Sequence, residues 1–377
     1  MKTFIFPGQG SQERGMGGTL FDDFSELTQK ADEILGYSIK DLCLDDANRQ
    51  LSKTQFTQPA IYVVSAYCYF NRLGDNATKP DFVAGHSLGE FNALLAAECF
   101  DFETGLKLVK KRGELMSQAS GGGMAAILGS NEAAIRRILQ DNNFTDIELA
   151  NFNTPSQIVV SGAKEQMDQA SDIFNNADIK FIPLNTSGAF HSRLMQASKE
   201  EFEDYLNQFE FSNPQIPVIS NVTAMPYDND AIKANVANQM VSPVRWCESI
   251  QYLMAQNEMS FEEIGHGEVL SKLVSSIREQ TSLQVPTADD QTTASIAVPI
   301  EGQGQSPWLD EIKSLSADEK VRLWNGRYPV GTRIKSHLVD KEGLETRTEA
   351  VVLFGHRSAV YLKDFGGYFD LDEVVPL

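Results

Sequence analysis

A serine stands between two glycines in Gly85-His86-Ser87-Leu88-Gly89, directly after the apolar stretch Phe82-Val83-Ala84 and directly before Leu88, Phe91, Leu94 and Leu95 at helical spacing. A strand that turns into a helix through this G-x-S-x-G pattern forms a nucleophile elbow, which lifts the serine hydroxyl out of the fold. The glycines tolerate the strained dihedrals of such a turn and leave room for a substrate. The Leu88 amide, at the helix N-terminus, can donate to an oxyanion. The chemistry expected of Ser87 is attack on an acyl carbonyl.

A serine nucleophile needs a base, and the chain has five histidines, His86, His191, His266, His337 and His356. His86 adjoins the nucleophile, so its side chain leaves the elbow in another direction. His337 and His356 lie in a C-terminal segment set apart from every other motif. Two remain. His191 sits in Ser187-Gly188-Ala189-Phe190-His191-Ser192, a glycine turn after a strand. His266 sits in Glu263-Ile264-Gly265-His266-Gly267.

The elements that must position these groups read as an α/β protein. Lys2 to Phe6 forms a short buried strand that runs into the turn Gly8-Gln9-Gly10-Ser11-Gln12. Helical patterns follow over 20–35 and 58–73, then the elbow. The ligand site of such a sheet lies at the carboxyl ends of its strands. Between 124 and 188 the pattern is strand 124–128, helix 131–140, strands 147–151 and 157–161, helix 164–175 and strand 179–184. That β-α-β-β-α-β order predicts a ferredoxin-like insertion. Residues 281–305 carry no Lys, Arg or aromatic residue and read as a linker. Beyond it, 306–377 predicts one short helix and segments near 332–339, 347–354, 358–363 and 368–375, a small, mostly β appendage. The expected domains are 1–123 with 189–280 as an α/β-hydrolase-like catalytic domain, 124–188 as the inserted subdomain, the linker, and 306–377.

Composition excludes several classes. With 377 residues and 42% hydrophobic content the chain can bury a sizeable core. A formal net charge of −20 argues against nucleic-acid or anionic-membrane binding. Cys43, Cys68, Cys99 and Cys247 are widely spaced, which points to neither a metal site nor a disulfide framework. The N-terminal apolar run breaks at Pro7 and Gly8, so no signal peptide is expected, and a cytoplasmic location is.

Six ordered motifs resemble those of malonyl-CoA:acyl carrier protein transacylases: Phe6-Pro7-Gly8-Gln9-Gly10-Ser11-Gln12, Thr57-Gln58-Pro59-Ala60, Gly85-His86-Ser87-Leu88-Gly89-Glu90, Lys111-Arg112-Gly113 with Met116, Gly188-Ala189-Phe190-His191-Ser192, and Pro243-Val244-Arg245-Trp246. The resemblance covers about residues 1 to 280, and a stand-alone chain with a C-terminal extension is most similar to the trans-acting acyltransferases of polyketide or hybrid peptide-polyketide synthesis. The same motifs serve fatty-acid synthesis.

The resemblance implies a malonyl-serine intermediate on Ser87, with His191 as base and the amides of Gln9 and Leu88 as oxyanion hole. It implies that Arg112 holds the malonyl carboxylate, that Phe190 limits acyl size, and that Met116, Gln58, Asn153 and His86 complete the substrate-binding set. The donor is malonyl-CoA, the acceptor the phosphopantetheine thiol of an acyl carrier protein, with no cofactor or metal of the enzyme's own. Carrier proteins are generally acidic, as this chain is, so Lys107, Lys110, Lys111, Arg136 and Arg137 are candidates for a local docking patch. The appendage is nearly balanced, with 10 Lys and Arg against 12 Asp and Glu over 306–377. One departure is His266, which stands where the family pattern has proline, in the loop whose main-chain carbonyl is expected to orient the catalytic imidazole. Two other classes remain open. One is an acyl hydrolase with the order Ser87, Asp228 or Asp230, His266, which would remove stalled acyl chains. The other is an inactive docking protein.

Overall fold

The computed structural model describes residues 1–74, 78–256 and 258–283 and, beyond them, 307–313, 315–336, 344–346, 350–353, 357–363, 368–372 and 374–377. These form two compact units, Met1–Ile277 and Arg278–Leu377. Most of the expected linker, 284–305, falls outside the described residues.

The first unit is built on a parallel sheet of β1 (Lys2–Phe6), β2 (Phe82–Gly85), β7 (Val218–Ile219) and β8 (Ser260–Glu263), in the order β7-β2-β1-β8. Helices cover both faces of such a sheet, so its central strands read as unbroken apolar runs, and Phe4, Ile5, Phe6, Val83 and Ala84 are all buried. Register sets the site. Phe6 stands opposite Gly85, so the Gly8–Gln12 loop and the serine elbow leave the sheet side by side.

A second sheet of β3 (Gly122–Leu128), β4 (Ile147–Thr154), β5 (Gln157–Ala163) and β6 (Lys180–Pro183) is antiparallel throughout, in the order β4-β5-β3-β6. Two helices, Glu132–Asp141 and Lys164–Asn176, bury Ile135, Leu139, Met167, Ala170 and Phe174 in one cluster with the strands' Ala125, Ile127 and Val160. This is the ferredoxin-like arrangement expected from the sequence. It joins the main body through β4, where the Phe152 amide donates to the Val244 carbonyl at 2.9 Å and the Val244 amide to Ala150 at 2.8 Å.

Two helical readings change. Residues 20–35 form two helices, Leu20–Asp23 and Ser25–Leu35, broken at Phe24, and the helix read as 58–73 begins at Thr54 and carries Pro59 inside it. The helix Phe102–Gln118 is capped by Asp101, whose carboxylate accepts from the Thr104 amide at 2.8 Å. It buries Leu106, Leu108, Val109, Leu115 and Met116 together with Arg112. Arg112 therefore lies on the apolar face of a helix whose lysines point elsewhere.

The second unit has two short helices where one was expected, Pro307–Ile312 and Ala317–Arg327, the latter with a Ser316/Glu319 capping box. Strands β9 (Arg333–Ser336), β10 (Leu344–Glu345) and β14 (Val374–Pro376) form one antiparallel sheet, and β11 (Val351–Leu353), β12 (Arg357–Tyr361) and β13 (Tyr368–Asp370) another. Trp308 and Trp324 meet edge to face with centroids 5.1 Å apart in a buried cluster with Ile334, Val360 and Leu371. Among the described residues, no helix is long and apolar enough to cross a membrane and no group of three His, Cys, Asp or Glu is arranged to hold a metal. All four cysteines are free thiols.

Candidate active site

Close backbone approach makes the elbow. A Cβ on Gly85 would fall 1.9 Å from the Gly89 carbonyl carbon, and one on Gly89 would fall 2.0 Å from the Phe6 oxygen, so neither position accepts a side chain. Ser87 itself has φ 51°, a left-handed conformation rare for a residue with a side chain. Its amide donates to Asn221 Oδ1 at 2.7 Å, while Asn221 Nδ2 donates to the Gly85 carbonyl at 2.7 Å, so one side chain splints both ends of the turn.

The Ser87 hydroxyl lies 2.8 Å from His191 Nε2. His191 Nδ1 faces the Gln239 carbonyl at 2.8 Å, which fixes the proton on Nδ1 and leaves Nε2 to accept from the serine. Burial, reinforced by the Arg112 charge, pushes the imidazole down to about 3, so it is neutral around neutral pH and its Nε2 lone pair is open to the serine proton. Arg193, two residues on, bonds Asp146 at 2.6 Å and the Thr145 carbonyl at 2.7 Å, which ties the histidine loop to the antiparallel sheet.

Arg112 is fully buried. Its Nη2 donates to Ser87 Oγ at 3.0 Å and to Gln239 Oε1 at 2.8 Å, and its Nη1 to Gln58 Oε1 at 2.8 Å. Gln58 Nε2 in turn reaches the Met116 sulfur at 3.2 Å. Burial lowers Arg112 to about 10, partly offset by the charge of Glu90, so it remains a cation beside the nucleophile. Phe190 is buried in the same apolar cluster as Met116 and Phe91.

His86 does not face Ser87. Its Nε2 bonds Asn153 Oδ1 at 2.8 Å and its ring packs 5.6 Å from that of Trp246, which links the elbow to β4 of the inserted sheet. Asn153 thus spends its carboxamide oxygen on the elbow. The amides of Gln9 and Leu88 donate to no protein acceptor among the described residues, and a Cβ on Gly8 would lie 2.3 Å from the His86 oxygen, so the first loop rests on the elbow.

Two expectations are corrected. The carbonyl that orients His191 belongs to Gln239, because the short helical turn Gln239–Val241 carries it there, and the 263–267 loop does not supply it. His266 bonds Glu13 at 3.3 Å, while Asp228 caps a short helical turn through the Asp230 amide, so the hydrolase order is not assembled. Of the basic candidates, Lys110 donates to the Ile34 carbonyl at 2.8 Å, Lys111 pairs with Glu201, and Arg136 and Arg137 pair with Glu132 and Asp141. The sequence reading gave no role to Gln239, Asn221 or Glu90. Only Glu90 carried a signal, as the last residue of the elbow motif.

A family model described as acyl transferase domain matches residues 3–300. The polyketide biosynthesis malonyl CoA-acyl carrier protein transacylase PksC of Bacillus subtilis (strain 168) is 55% identical over 281 residues, covering 74% of this chain and 98% of that protein. A solved malonyl CoA-acyl carrier protein transacylase from Burkholderia pseudomallei aligns with TM-score 0.73 and 52% identity over 76% of this chain and 99% of its own. A malonyl-transacylase solved in complex with a type II polyketide acyl-carrier protein aligns with TM-score 0.70 and 33% identity, over 74% and 93% of the two chains.

Proposed function

Since the chain belongs to the acyl transferase domain family, we propose that it moves malonyl from malonyl-CoA to the phosphopantetheine thiol of an acyl carrier protein, supplying extender units for polyketide synthesis. The observation that carries this reading is a fully buried arginine 3.0 Å from the nucleophilic hydroxyl. An acyl chain ending in a carboxylate satisfies that cation, whereas acetyl leaves it unpaired in a site poor in water. Of the five N–H groups of Arg112, those on Nη2 go to Ser87 and Gln239 and one on Nη1 goes to Gln58, so a malonyl carboxylate takes the Nη2 position that Ser87 Oγ now holds.

Ser87 Oγ attacks the thioester carbon while its proton passes to His191 Nε2, and the amides of Gln9 and Leu88 receive the oxyanion. The C–S bond breaks, and coenzyme A leaves with the proton from His191, so Ser87 holds a malonyl ester. In the second half-reaction the carrier thiol gives its proton to His191 and its sulfur attacks the ester. The C–Oγ bond then breaks and Ser87 recovers the proton. Phe190 closes the pocket beside the malonyl CH2 and excludes a branching methyl. The chemistry needs no resident cofactor. A CoA ester as donor, together with free thiols in the enzyme, supports action in the cytoplasm.

The identity to PksC supports the polyketide assignment over fatty-acid synthesis. The test is transfer from malonyl-CoA to phosphopantetheinylated carrier protein, followed by the mass of the carrier. A gain of one malonyl group that requires the enzyme is expected. Release of free malonate with an unmodified carrier would point to the hydrolase instead.

A further inference from the structure

Behind the elbow lies a buried polar cluster that the transfer chemistry does not use. Glu90, 1% exposed, accepts from the Asn221 amide and the Tyr227 hydroxyl at Oε1, each at 2.8 Å, and from Gln239 Nε2 at Oε2. Gln239 Nε2 also donates to the Ser87 carbonyl at 2.9 Å, and Gln239 Oε1 accepts from Arg112 at 2.8 Å. The Gln239 amide is therefore a two-ended relay, with its NH2 toward Glu90 and Ser87 and its oxygen toward Arg112.

We propose that Glu90 is a positioning residue for donor selectivity: as an acceptor without a proton, it fixes the orientation of the Gln239 amide and so gives Arg112 the oxygen that aims its guanidinium at the donor's carboxylate. The inference rests on the malonyl reading above. A carboxylate can only accept, so Gln239 must turn its NH2 to Glu90 and its oxygen to Arg112. Replacing Glu90 by Gln breaks the logic without changing the shape. The backbone amide of Asn221 cannot turn and claims the Gln oxygen, which leaves an NH2 against the NH2 of Gln239. The Gln239 amide then rotates, and Arg112 faces a donor where it had an acceptor.

Protonation of Glu90 has the same consequence, since it turns one oxygen into a donor. Burial raises Glu90 to about 7, with its three hydrogen bonds and Arg112 pulling the other way. The charged or titratable groups around the relay are Arg112, Tyr227, His191 and His86. Arg112 is lowered only to about 10, Tyr227 is held well above its ordinary value and His191 is lowered to about 3, so these three keep one state while Glu90 changes, and burial favours the neutral form of His86. Below about neutral pH the wild-type enzyme should lose preference for malonyl.

The experiment is competition between malonyl-CoA and acetyl-CoA for Ser87, read by intact mass, in wild type, Glu90→Gln and Gln239→Met, with melting curves to establish folding. The ratio of the two donors cancels the titration of the coenzyme A phosphates. We expect the malonyl-to-acetyl ratio to fall by about tenfold or more in both variants, chiefly through KM for malonyl-CoA. We expect the wild-type ratio to decline as pH falls from about 8 to about 6, and the ratio in Glu90→Gln to be flat. Should Glu90→Gln fail to fold, Gln239→Met and the wild-type pH series decide. Wild type that takes up no malonyl contradicts the proposed function and this inference with it. Wild type that prefers malonyl at every pH, with Gln239→Met or folded Glu90→Gln within about twofold of its ratio, overturns this inference alone.

Discussion

Ser87 and His191 meet at 2.8 Å across 104 residues of chain, and both hold left-handed backbone, with φ 51° and 58°. Such conformations are disfavoured for residues with side chains and persist only where the surroundings over-determine them. Here Asn221 and the two glycines hold the serine. The Gln239 carbonyl and the Arg193 contacts hold the histidine. His191→Ala should lower the acylation rate of Ser87 by about a thousandfold or more, because both half-reactions pass a proton through this ring. His266→Ala, which loses only a contact to Glu13, should stay within about twofold of wild type. Single-turnover acylation rates of the two variants check this.

The pH behaviour of the base follows from its burial. A depressed histidine is neutral above its folded value, and His191 sits at about 3, against an ordinary value near 6.5. It should stay neutral, with the proton on Nδ1, from about pH 8 down to about pH 5. Ring nitrogen NMR shifts measure this directly. A His191 titration near the ordinary histidine value would contradict the assigned environment.

Arg112→Ala removes the cation and its unpaired-charge penalty together. Malonyl loading should fall by about a hundredfold, equivalent to about 3 kcal/mol of charge-assisted hydrogen bonding, while acetyl loading gains relative to malonyl. Steady-state kcat/KM for the two donors separates the cases. Equal loss for both would mean that Arg112 serves packing, through its place over the Phe91 ring at 5.7 Å.

The second unit carries its own aromatic core, and every residue of the candidate site precedes it in sequence. We propose that it assists recognition of the carrier protein and takes no part in the chemistry. A chain ending after Leu283, where the helix Val269–Leu283 closes, should still acylate Ser87 within about threefold of the full-length rate, with a raised apparent KM for the carrier protein. A soluble truncate that cannot be acylated would refute this.

The elbow was readable because it combines a rare residue pattern with a change of period, from a strand to a helix. Arg112 was readable only through family resemblance, since its helix also carries Lys107, Lys110 and Lys111, and burial of one among four cations leaves no mark in composition. The strands that complete the parallel sheet gave little signal: Val218–Ile219 is two residues long, and Ser260–Glu263 reads Ser-Phe-Glu-Glu. The orienting carbonyl of Gln239 is a backbone atom, which no side-chain pattern can announce. Its amide relay to Glu90 joins residues 149 positions apart, a pairing visible only after the sheet brings the elbow and the 239–241 turn together.

In the proposed reaction Ser87 becomes a malonyl ester. Intact mass of the protein after mixing with malonyl-CoA, with peptide mapping of the modified residue, tests it most directly. The expected result is one malonyl group on Ser87, absent from Ser87→Ala and discharged by phosphopantetheinylated carrier protein. A Ser87→Ala protein that gains the same mass would contradict the account.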